Sequence, residues 1–276
     1  QQKQEFLPKI SSGEITVCFG LTEPGSGSDA TALTTFAKKA EDGGYIINGQ
    51  KVFTSGMDIS DYCLLVARTT RANKQQEGIT NFFIDTKSPG IEIQKIETLG
   101  HRGIGTTQVF YTDVKVSDDC VLGEVDDGWR AADKYLWYER LCLSAARYGA
   151  ASKAFEYALD YAKNREQFGQ PIGKFQAISH KLADMKVMLD VSRVLVYQFA
   201  WQMEVGKASR HDAAILKLYT SEAYKTISDI GLQIYGGYGY CMEYPMQRFF
   251  RDSRLAVIGA GSSEIQRNII ARSLGL

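Results

Sequence analysis

Two different patterns of apolar and polar positions divide the chain. Between about Glu14 and Leu122, short runs rich in β-branched and aromatic residues alternate with turn residues, which predicts β-strands. The Asp42-Gly43-Gly44 sequence predicts a hairpin turn within this part. The predicted strands are Ile15–Val17, Tyr45–Gly49, Tyr62–Ala67, Phe82–Ile84, Ile91–Ile93 and Val109–Val116.

From Gly128 onward the apolar period becomes that of helices. The pattern predicts three long helices and a short one that opens near Ser262. The long helices are Trp129–Lys163, Phe175–Glu204 and His211–Tyr235. The order of elements predicts an α+β fold, in which an antiparallel, barrel-like β domain precedes a bundle of helices.

Length, charge and cysteine use narrow the function classes. The 276 residues suffice for about two domains of roughly 150 residues each. Because 32 basic residues balance 32 acidic ones, a nucleic acid or an anionic membrane is not an expected partner. No apolar run reaches the length of a membrane span, and the five cysteines form no Cys-x-x-Cys pair. A reducing compartment, either the cytoplasm or a mitochondrial matrix, is therefore expected.

The segment Gly25-Ser26-Gly27-Ser28-Asp29-Ala30 matches the letters of a dinucleotide-binding fingerprint. That fingerprint requires a helix after the glycines, and the polar residues from Thr31 to Thr35 are poor helix formers. The segment is either a plain turn or a loop whose N–H groups, together with Ser28, hold an anionic phosphate.

Glu139 is the most informative single residue. It projects from an apolar face of the first long helix, and none of its neighbours three or four positions away is a cation. Burial without a partner raises the pKa of a carboxyl group toward neutrality, which suits a general base. The alternative is a structural ion pair with a distant Arg or Lys.

The loop from Ile258 to Glu264 runs into the last helix, with Ser262 or Ser263 as its N-cap. Its N–H groups suit an anion or an oxygen that gains charge during a reaction, although an ordinary capped turn has the same sequence. The three histidines lack metal-ligand spacing, so no metal site is predicted, and no hydrolase motif is present.

Together, five segments resemble the acyl-CoA dehydrogenase family, most closely its isovaleryl-CoA branch. They are Leu21–Asp29, Asn48–Gly56, Arg165–Gly169, Gln233–Gly239 and Ile258–Arg267. The resemblance implies a middle β domain over residues 14–122 and a C-terminal four-helix bundle over residues 123–276. It also implies that residues 1–13 are the remnant of an N-terminal helical domain, so the chain is expected to be a shortened member.

The resemblance implies FAD as the cofactor. In the β domain it assigns flavin contacts to Phe19, Leu21, Thr22, Ser28, Phe53 and Ser55, with Ser55 expected to bond flavin N5. In the helical domain it assigns FAD contacts to Arg165, Phe168, Gln176, Gln233, Gly236, Gly237, Ser262 and Glu264.

One departure decides the catalytic assignment. Many family members carry a catalytic glutamate where this chain has Ala260, whereas the isovaleryl branch uses a Glu-Arg pair on the long helix. The pair Glu139-Arg140 matches that pattern, so Glu139 is expected to remove the α-proton of an acyl-CoA while the β-hydrogen passes as hydride to flavin N5. The Ala260 N–H is expected to polarise the thioester oxygen, and the expected substrate contacts are Ser28, Arg140, Ala260 and Gly261.

The implied partners are a branched or short-to-medium acyl-CoA, an electron-transfer flavoprotein and further copies of the chain in a tetramer or dimer. Three alternatives remain open. They are an enoyl-CoA reductase, an acyl-CoA oxidase, and a non-catalytic protein that binds acyl-CoA or FAD.

Overall fold

The computed structural model describes all 276 residues, and they form two compact units. Residues 1–134 carry the main sheet, and residues 135–276 carry most of the helical structure. The boundary between the units falls inside the longest helix, after Lys134.

A first helix and eight strands make up the first unit, with the start of the longest helix at its end. Helix α1 spans Gln2–Ser12. The strands are β1 (Val17–Gly20), β2 (Phe36–Lys39), β3 (Tyr45–Ser55), β4 (Tyr62–Arg68), β5 (Ile79–Asp85), β6 (Ile91–Ile96), β7 (Thr106–Val116) and β8 (Val121–Leu122). Strand β2 lies outside the predicted set, because Lys38 and Lys39 obscure its short apolar pattern.

The strands form one mixed sheet in the order β6-β7-β3-β2-β4-β5-β8, with β1 beside β4. Most neighbours are antiparallel, as predicted, but β1 and β2 both pair with β4 in parallel. The antiparallel expectation missed these two pairings because they join strands separated by long connections, which a local pattern of apolar residues does not record.

The predicted hairpin turn joins β2 to β3, and Lys39 pairs with Tyr45 across it. Both glycines have positive φ, 97° at Gly43 and 75° at Gly44. A Cβ atom on Gly44 would lie only 2.3 Å from the carbonyl oxygen of Val116, whereas one on Gly43 would meet nothing closer than 3.9 Å. Gly44 is therefore required by the close approach of β7 as well as by its backbone angle.

Five helices belong wholly or mostly to the second unit. They are α2 (Gly128–Asn164), α3 (Gln176–Glu204), α4 (Arg210–Tyr235), α5 (Met246–Ala256) and α6 (Ser263–Ser273). A two-stranded hairpin, β9 (Glu166–Gln167) with β10 (Gln170–Pro171), follows α2. The long helices agree with the predicted bounds to within one residue, but α5 is an addition to the four predicted helices.

Small residues let the helices of the second unit approach closely. Ala151, Ala154, Ala158 and Ala162 form a fully buried stripe along α2. On α4, a Cβ atom on Gly231 would lie 2.8 Å from the sulfur of Met246 at the start of α5. None of the six helices combines the length and apolar composition that crossing a lipid bilayer requires.

We expect the substitution Gly44→Ala to lower the free energy of unfolding by about 1–3 kcal/mol, because it adds a clash with β7 to the strain of a positive φ. Gly43→Ala is the matched control, since its Cβ has room and only the backbone strain remains. Urea unfolding followed by circular dichroism measures both. Equal losses for the two variants would contradict the role given to the β7 contact.

Candidate active site

In the first unit, the segment from Leu21 to Ser28 is fixed by the buried carboxylate of Glu23. Glu23 Oε2 accepts hydrogen bonds from the Thr34 N–H at 2.6 Å and the Thr34 hydroxyl at 2.7 Å, and Oε1 accepts one from the Thr35 N–H at 2.9 Å. Three donors from a neighbouring segment therefore hold this one side chain. Thr22 and Pro24, on either side of Glu23, are positioned as a result.

Lys51 on β3 completes this arrangement. Its fully buried ammonium lies 2.8 Å from Glu23 Oε1 and donates a second hydrogen bond to the Leu21 carbonyl at 2.8 Å. Burial raises the pKa of Glu23, but the charge and hydrogen bonds of Lys51 outweigh it and hold the pKa at about 2. Burial lowers the pKa of Lys51 to about 8, against the pull of Glu23. Both groups are thus ionised at neutral pH.

The loop after Glu23 offers unused backbone donors. The N–H groups of Gly27 and Ser28 form no hydrogen bond within the chain, and a Cβ on Gly25 or Gly27 would meet no atom within 4 Å. A 3-10 turn, Ala30–Ala32, follows rather than an α-helix. The dinucleotide-binding fingerprint is therefore excluded, while the loop keeps the open donors that an anionic group needs.

The Phe53 side chain is presented by a bulge in β3. The pairing of β3 with β7 shifts register between Val52 and Thr54, and Phe53 has a φ of 58° and is 64% exposed. Bulges re-aim a side chain at the cost of backbone strain. Ser55 is also exposed, two residues further on, whereas Phe19 and Leu21 are half-buried against an apolar cluster that includes Leu33.

In the second unit, Glu139 on α2 is half-buried, and its Oε2 atom is buried with no hydrogen-bond partner. Burial raises the pKa of Glu139 above its usual range, and the charges of Arg140, Arg147 and Lys217 oppose that rise. The side chain faces less apolar surroundings than expected, because Tyr135 and Cys142 on the same side of α2 are exposed. The alternative interpretation is an ion pair between Glu139 and a distant Arg or Lys. Such cations are present, but none of them forms a hydrogen bond with Oε2.

Gln266 on α6 organises the loop that precedes this helix. Its buried amide nitrogen donates to the carbonyls of Ala260 at 3.3 Å and Gly261 at 2.9 Å, while the N–H groups of those two residues donate to nothing in the chain. Ala260 has a φ of 56°. Arg140 Nη2 lies 3.9 Å from the position of a Cβ on Gly261, so α2 reaches this loop through the residue beside Glu139.

Ser262 is the N-cap of α6, as one of the two predicted candidates, and its hydroxyl accepts the Ile265 N–H. The same hydroxyl lowers the pKa of the exposed Glu264. The remaining predicted cofactor residues of this unit are all exposed. Arg165 lies 5.7 Å from the ring of Tyr238, and Phe168 is 93% exposed with a φ of 50°. The other exposed members are Gln176, Gln233, Gly236 and Gly237.

Comparison with known proteins places both parts of the chain. Residues 18–114 match the model of the acyl-CoA dehydrogenase middle domain, and residues 126–275 match that of the acyl-CoA dehydrogenase C-terminal domain. The chain belongs to the acyl-CoA dehydrogenase family. Members of this family are FAD-dependent oxidoreductases, so FAD is the cofactor.

Several acyl-CoA dehydrogenase relatives are similar over nearly the whole chain. The 3-(aryl)acrylate reductase of Clostridium sporogenes is 40% identical over 99% of this chain and 72% of its own length. The mitochondrial isovaleryl-CoA dehydrogenase of Oryza sativa is also 40% identical, over 99% of this chain and 66% of its own length. The structure of butyryl-CoA dehydrogenase from Megasphaera elsdenii has a TM-score of 0.95 at 37% identity, covering 100% of this chain and 72% of that one.

The residues present fit FAD. In the first unit, an exposed aromatic ring at Phe53 and the open N–H donors of Gly27 and Ser28 match a flat ring system and an anionic pyrophosphate. In the second unit, the exposed guanidinium of Arg165 is suited to phosphate. The individual roles of these residues stay predictions.

The sequence analysis did not identify four residues that support the predicted site residues in the folded chain. Glu23 and Lys51 are buried together, Gln266 holds the Ala260 loop, and Lys217 is a buried cation near Glu139. A signal was available only for Lys51, a charged residue at a strand position beside apolar Val52. The other three look like ordinary polar residues until their burial is known.

We expect Lys51→Met to lower the free energy of unfolding by about 3–5 kcal/mol, because it leaves the Glu23 carboxylate buried without its cation. The matched control is Lys39→Met, which removes the exposed Lys39–Asp118 pair and should change stability little. Urea unfolding at pH 7 measures both.

The direction in which the free energy of unfolding changes with pH follows from the lowered pKa of Glu23. Its folded pKa of about 2 lies below the ordinary 4.5, so the pair stabilises the fold fully above pH 4.5 and loses that contribution as the pH falls toward 2. The stability difference between wild type and Lys51→Met should therefore shrink on acidification. A difference that is constant from pH 7 to pH 3 would contradict the pairing.

Proposed function

We propose that this chain catalyses α,β-dehydrogenation of an acyl-CoA thioester, with Glu139 as the base that removes the α-proton. The observation that carries the proposal is the buried, partnerless Oε2 of Glu139 on α2, beside an Arg140 that packs on the Ala260–Gly261 loop. The helix thus supplies a proton acceptor and the loop supplies two unused N–H donors in the same unit. The proposed domains are residues 14–122 and 123–276.

Glu139 acts as the base because its surroundings balance two opposing demands. Burial raises its pKa toward the working pH, which strengthens the carboxylate as a proton acceptor. The neighbouring cations keep enough of the group ionised to accept a proton. The acid formed afterwards is the neutral carboxyl group, which burial favours.

The Ala260 N–H stabilises the thioester oxygen as the α-proton leaves. Negative charge builds on that oxygen, and a donor that is already oriented stabilises it without reorganisation. Gln266 fixes the loop by its two bonds to the Ala260 and Gly261 carbonyls, which leaves the N–H groups pointing elsewhere. The side chain at position 260 takes no part, so alanine suffices there.

FAD, when bound, accepts the two electrons removed from the substrate. On the protein side, Phe53, Ser55, Ser28 and Thr22 would orient it, and Arg165 would bind phosphate. The proposed electron acceptor is an electron-transfer flavoprotein. For the acyl group we propose a branched or short-to-medium chain, because Gly259 and Ala260 leave room near the reacting carbons.

We expect Glu139→Gln to slow flavin bleaching by isovaleryl-CoA by at least about 10²- to 10⁴-fold under anaerobic conditions, because the amide accepts no proton. The measurement is stopped-flow absorbance of the flavin in the full-length protein. In the wild type, kcat/KM should fall as the pH drops through the raised pKa of Glu139, above the ordinary 4.5.

The matched control for this experiment is Glu156→Gln, which changes an exposed carboxylate on the same helix and should bleach at the wild-type rate. A Glu139→Gln variant that bleaches normally would overturn the assignment of the base. A wild-type protein that binds flavin but is never bleached by any acyl-CoA would favour the non-catalytic alternative.

A second candidate is the reverse reaction, the reduction of an enoyl-CoA. It is favoured by the Clostridium sporogenes relative, a 3-(aryl)acrylate reductase at 40% identity. Glu139 would then deliver a proton to the α-carbon. Mixing the dithionite-reduced protein with cinnamoyl-CoA tests this candidate, since reoxidation faster than the dehydrogenation step would assign the reductive direction. Rapid reoxidation by oxygen alone would instead favour the oxidase alternative.

Assembly from several copies is the last part of the proposal, and α3 supports it. This helix buries one apolar face, yet the opposite face exposes Val187, Val191, Val194, Tyr197 and Trp201. An apolar stripe on both sides of one helix is typical of a helix that packs against two neighbours. We therefore propose that the exposed stripe meets another copy of the chain.

We expect Val194→Glu to shift the protein toward smaller species, because a charge would be buried in that contact. Sedimentation velocity measures the state, and Thr226→Glu at an exposed position of α4 is the control. An unchanged assembly in Val194→Glu would remove α3 from the proposed contact.

A further inference from the structure

Lys217 on α4 is a fully buried lysine whose charge has no direct partner. It is 0% exposed, and its Nζ atom has no hydrogen-bond partner in the chain. Lys51, the other fully buried lysine, has both a carboxylate and a carbonyl within hydrogen-bond distance. An unpaired buried ammonium is costly, so its retention needs an explanation other than local pairing.

The register of two helices places Lys217 near Glu139. Arg147 Nη1 donates to Ser221 Oγ at 2.9 Å, and the rings of Tyr161 and Tyr235 stack at 4.1 Å. Both pairs join α2 to α4 at the same sequence separation, 74 residues, so the two helices run in the same direction.

By this register Lys217 lies level with Leu143, about one turn after Glu139. Helical side chains tilt toward the N-terminus of their helix, which directs Lys217 back toward the level of Glu139 and Arg140. The charge of Lys217 accordingly acts on the Glu139 carboxylate, and that of Glu139 acts on Lys217.

The other charged groups around this pair are few. On α2, Arg140 and Arg147 face both Glu139 and Lys217, and Tyr135 faces Glu139. On α6, Glu264 faces Lys217 from the surface. The side chains that helix α3 contributes to the adjoining cluster are all apolar: Leu195, Val196, Phe199 and Met203. Glu139 is therefore the one partly buried carboxylate among three buried cations.

We propose that Lys217 is a positioning residue for the base, whose buried ammonium keeps Glu139 ionised in weakly acidic solution and so extends the pH range of the reaction. This inference rests on the proposed function, in which Glu139 removes the substrate proton. Lys217 itself touches neither substrate nor cofactor. It acts only through its charge on Glu139.

The titrations of the two groups fit this role. Burial, together with the charges of Arg147 and Arg140, lowers the pKa of Lys217 to about 7. Lys217 is thus mostly charged below pH 7, and acidification is also the direction in which Glu139, whose pKa is raised by burial, takes up a proton. Above pH 7 the Lys217 ammonium loses its proton, and Glu139 is then ionised without the charge of Lys217.

The decisive variant is Lys217→Met, which keeps the volume and removes the charge. Without the neighbouring cation the pKa of Glu139 rises, so the acid limb of kcat/KM should move up by about one pH unit. At pH values below the acid limbs of both proteins, kcat/KM of Lys217→Met should be about tenfold lower than that of the wild type. At high pH the two values should agree. Because the lysine has no bonded partner to lose, the urea midpoint should stay the same or rise.

Two further variants separate charge from packing. Lys217→Arg keeps a positive charge at every accessible pH and should restore the acid limb to the wild-type position. Lys225→Met removes an exposed lysine two turns further along α4 and should leave the limb unmoved. A lysine with a purely structural role would instead lose stability in Lys217→Met and lower the rate equally at all pH values.

A readout independent of turnover is the infrared band of the protonated Glu139 carboxyl group, assigned by its loss in Glu139→Gln. We expect the pH midpoint of this band in the oxidised, full-length flavoprotein to rise by the same amount in Lys217→Met. Should that variant fail to fold, Lys217→Gln gives the same test.

The two proposals fail in different ways. If Glu139→Gln stops bleaching but Lys217→Met leaves both the limb and the infrared midpoint unmoved, the role of Lys217 is wrong and that of Glu139 stands. If Glu139→Gln bleaches at the wild-type rate, the proposed base itself is wrong and the inference falls with it.

Discussion

A charge that leaves water needs compensation nearby, and the arrangement of this chain depends on how that requirement is met in two places. In the β unit, the Lys51 ammonium has the Glu23 carboxylate at 2.8 Å, and this pair fixes the segment that leads into the open loop at Gly27 and Ser28. In the helical unit, Lys217 has no such partner and is compensated only at longer range by Glu139 and Glu264. The hydrogen-bonded Glu23–Lys51 pair is suited to a structural role, because both groups stay ionised. The cluster around Glu139 and Lys217 is suited to proton transfer, because a proton can be gained or lost there without breaking a hydrogen-bonded network.

The long helices and most strands could be predicted from the apolar pattern alone. Helices α2, α3 and α4 repeat that pattern over many turns, so small local errors average out. Helix α5 escaped prediction because arginines occupy much of its short sequence and Pro245 stands at its start, where the pattern shows a loop. The parallel pairing of β1 with β4 escaped for a different reason, since it is decided by contacts between residues about 45 positions apart.

The residues of the candidate site also divide into those that the sequence could identify and those that it could not. Resemblance to a family named the residues that such proteins share, and the pattern around Glu139 independently marked it as anomalous. Neither argument could find Lys217, Gln266 or Glu23, because their importance lies in burial and partners that only the folded chain defines. A lysine four residues before a serine on an amphipathic helix is unremarkable in sequence. In the folded chain the same lysine is 0% exposed and lies beside α2, the helix on which Glu139 has a raised pKa, so its charge can act on that carboxylate.

Three residues predicted to serve the cofactor or substrate share an uncommon backbone state. Phe53, Phe168 and Ala260 all have φ between 50° and 58°, the left-handed region in which a side chain costs of order 1–3 kcal/mol. Glycine would relieve that cost at each position. Thermostability engineering guided by the backbone alone will therefore favour glycine at all three positions. The aromatic surfaces of Phe53 and Phe168 would be erased by such a redesign, and the loop at Ala260 would lose its rigidity, so these positions belong on the list of residues to hold fixed.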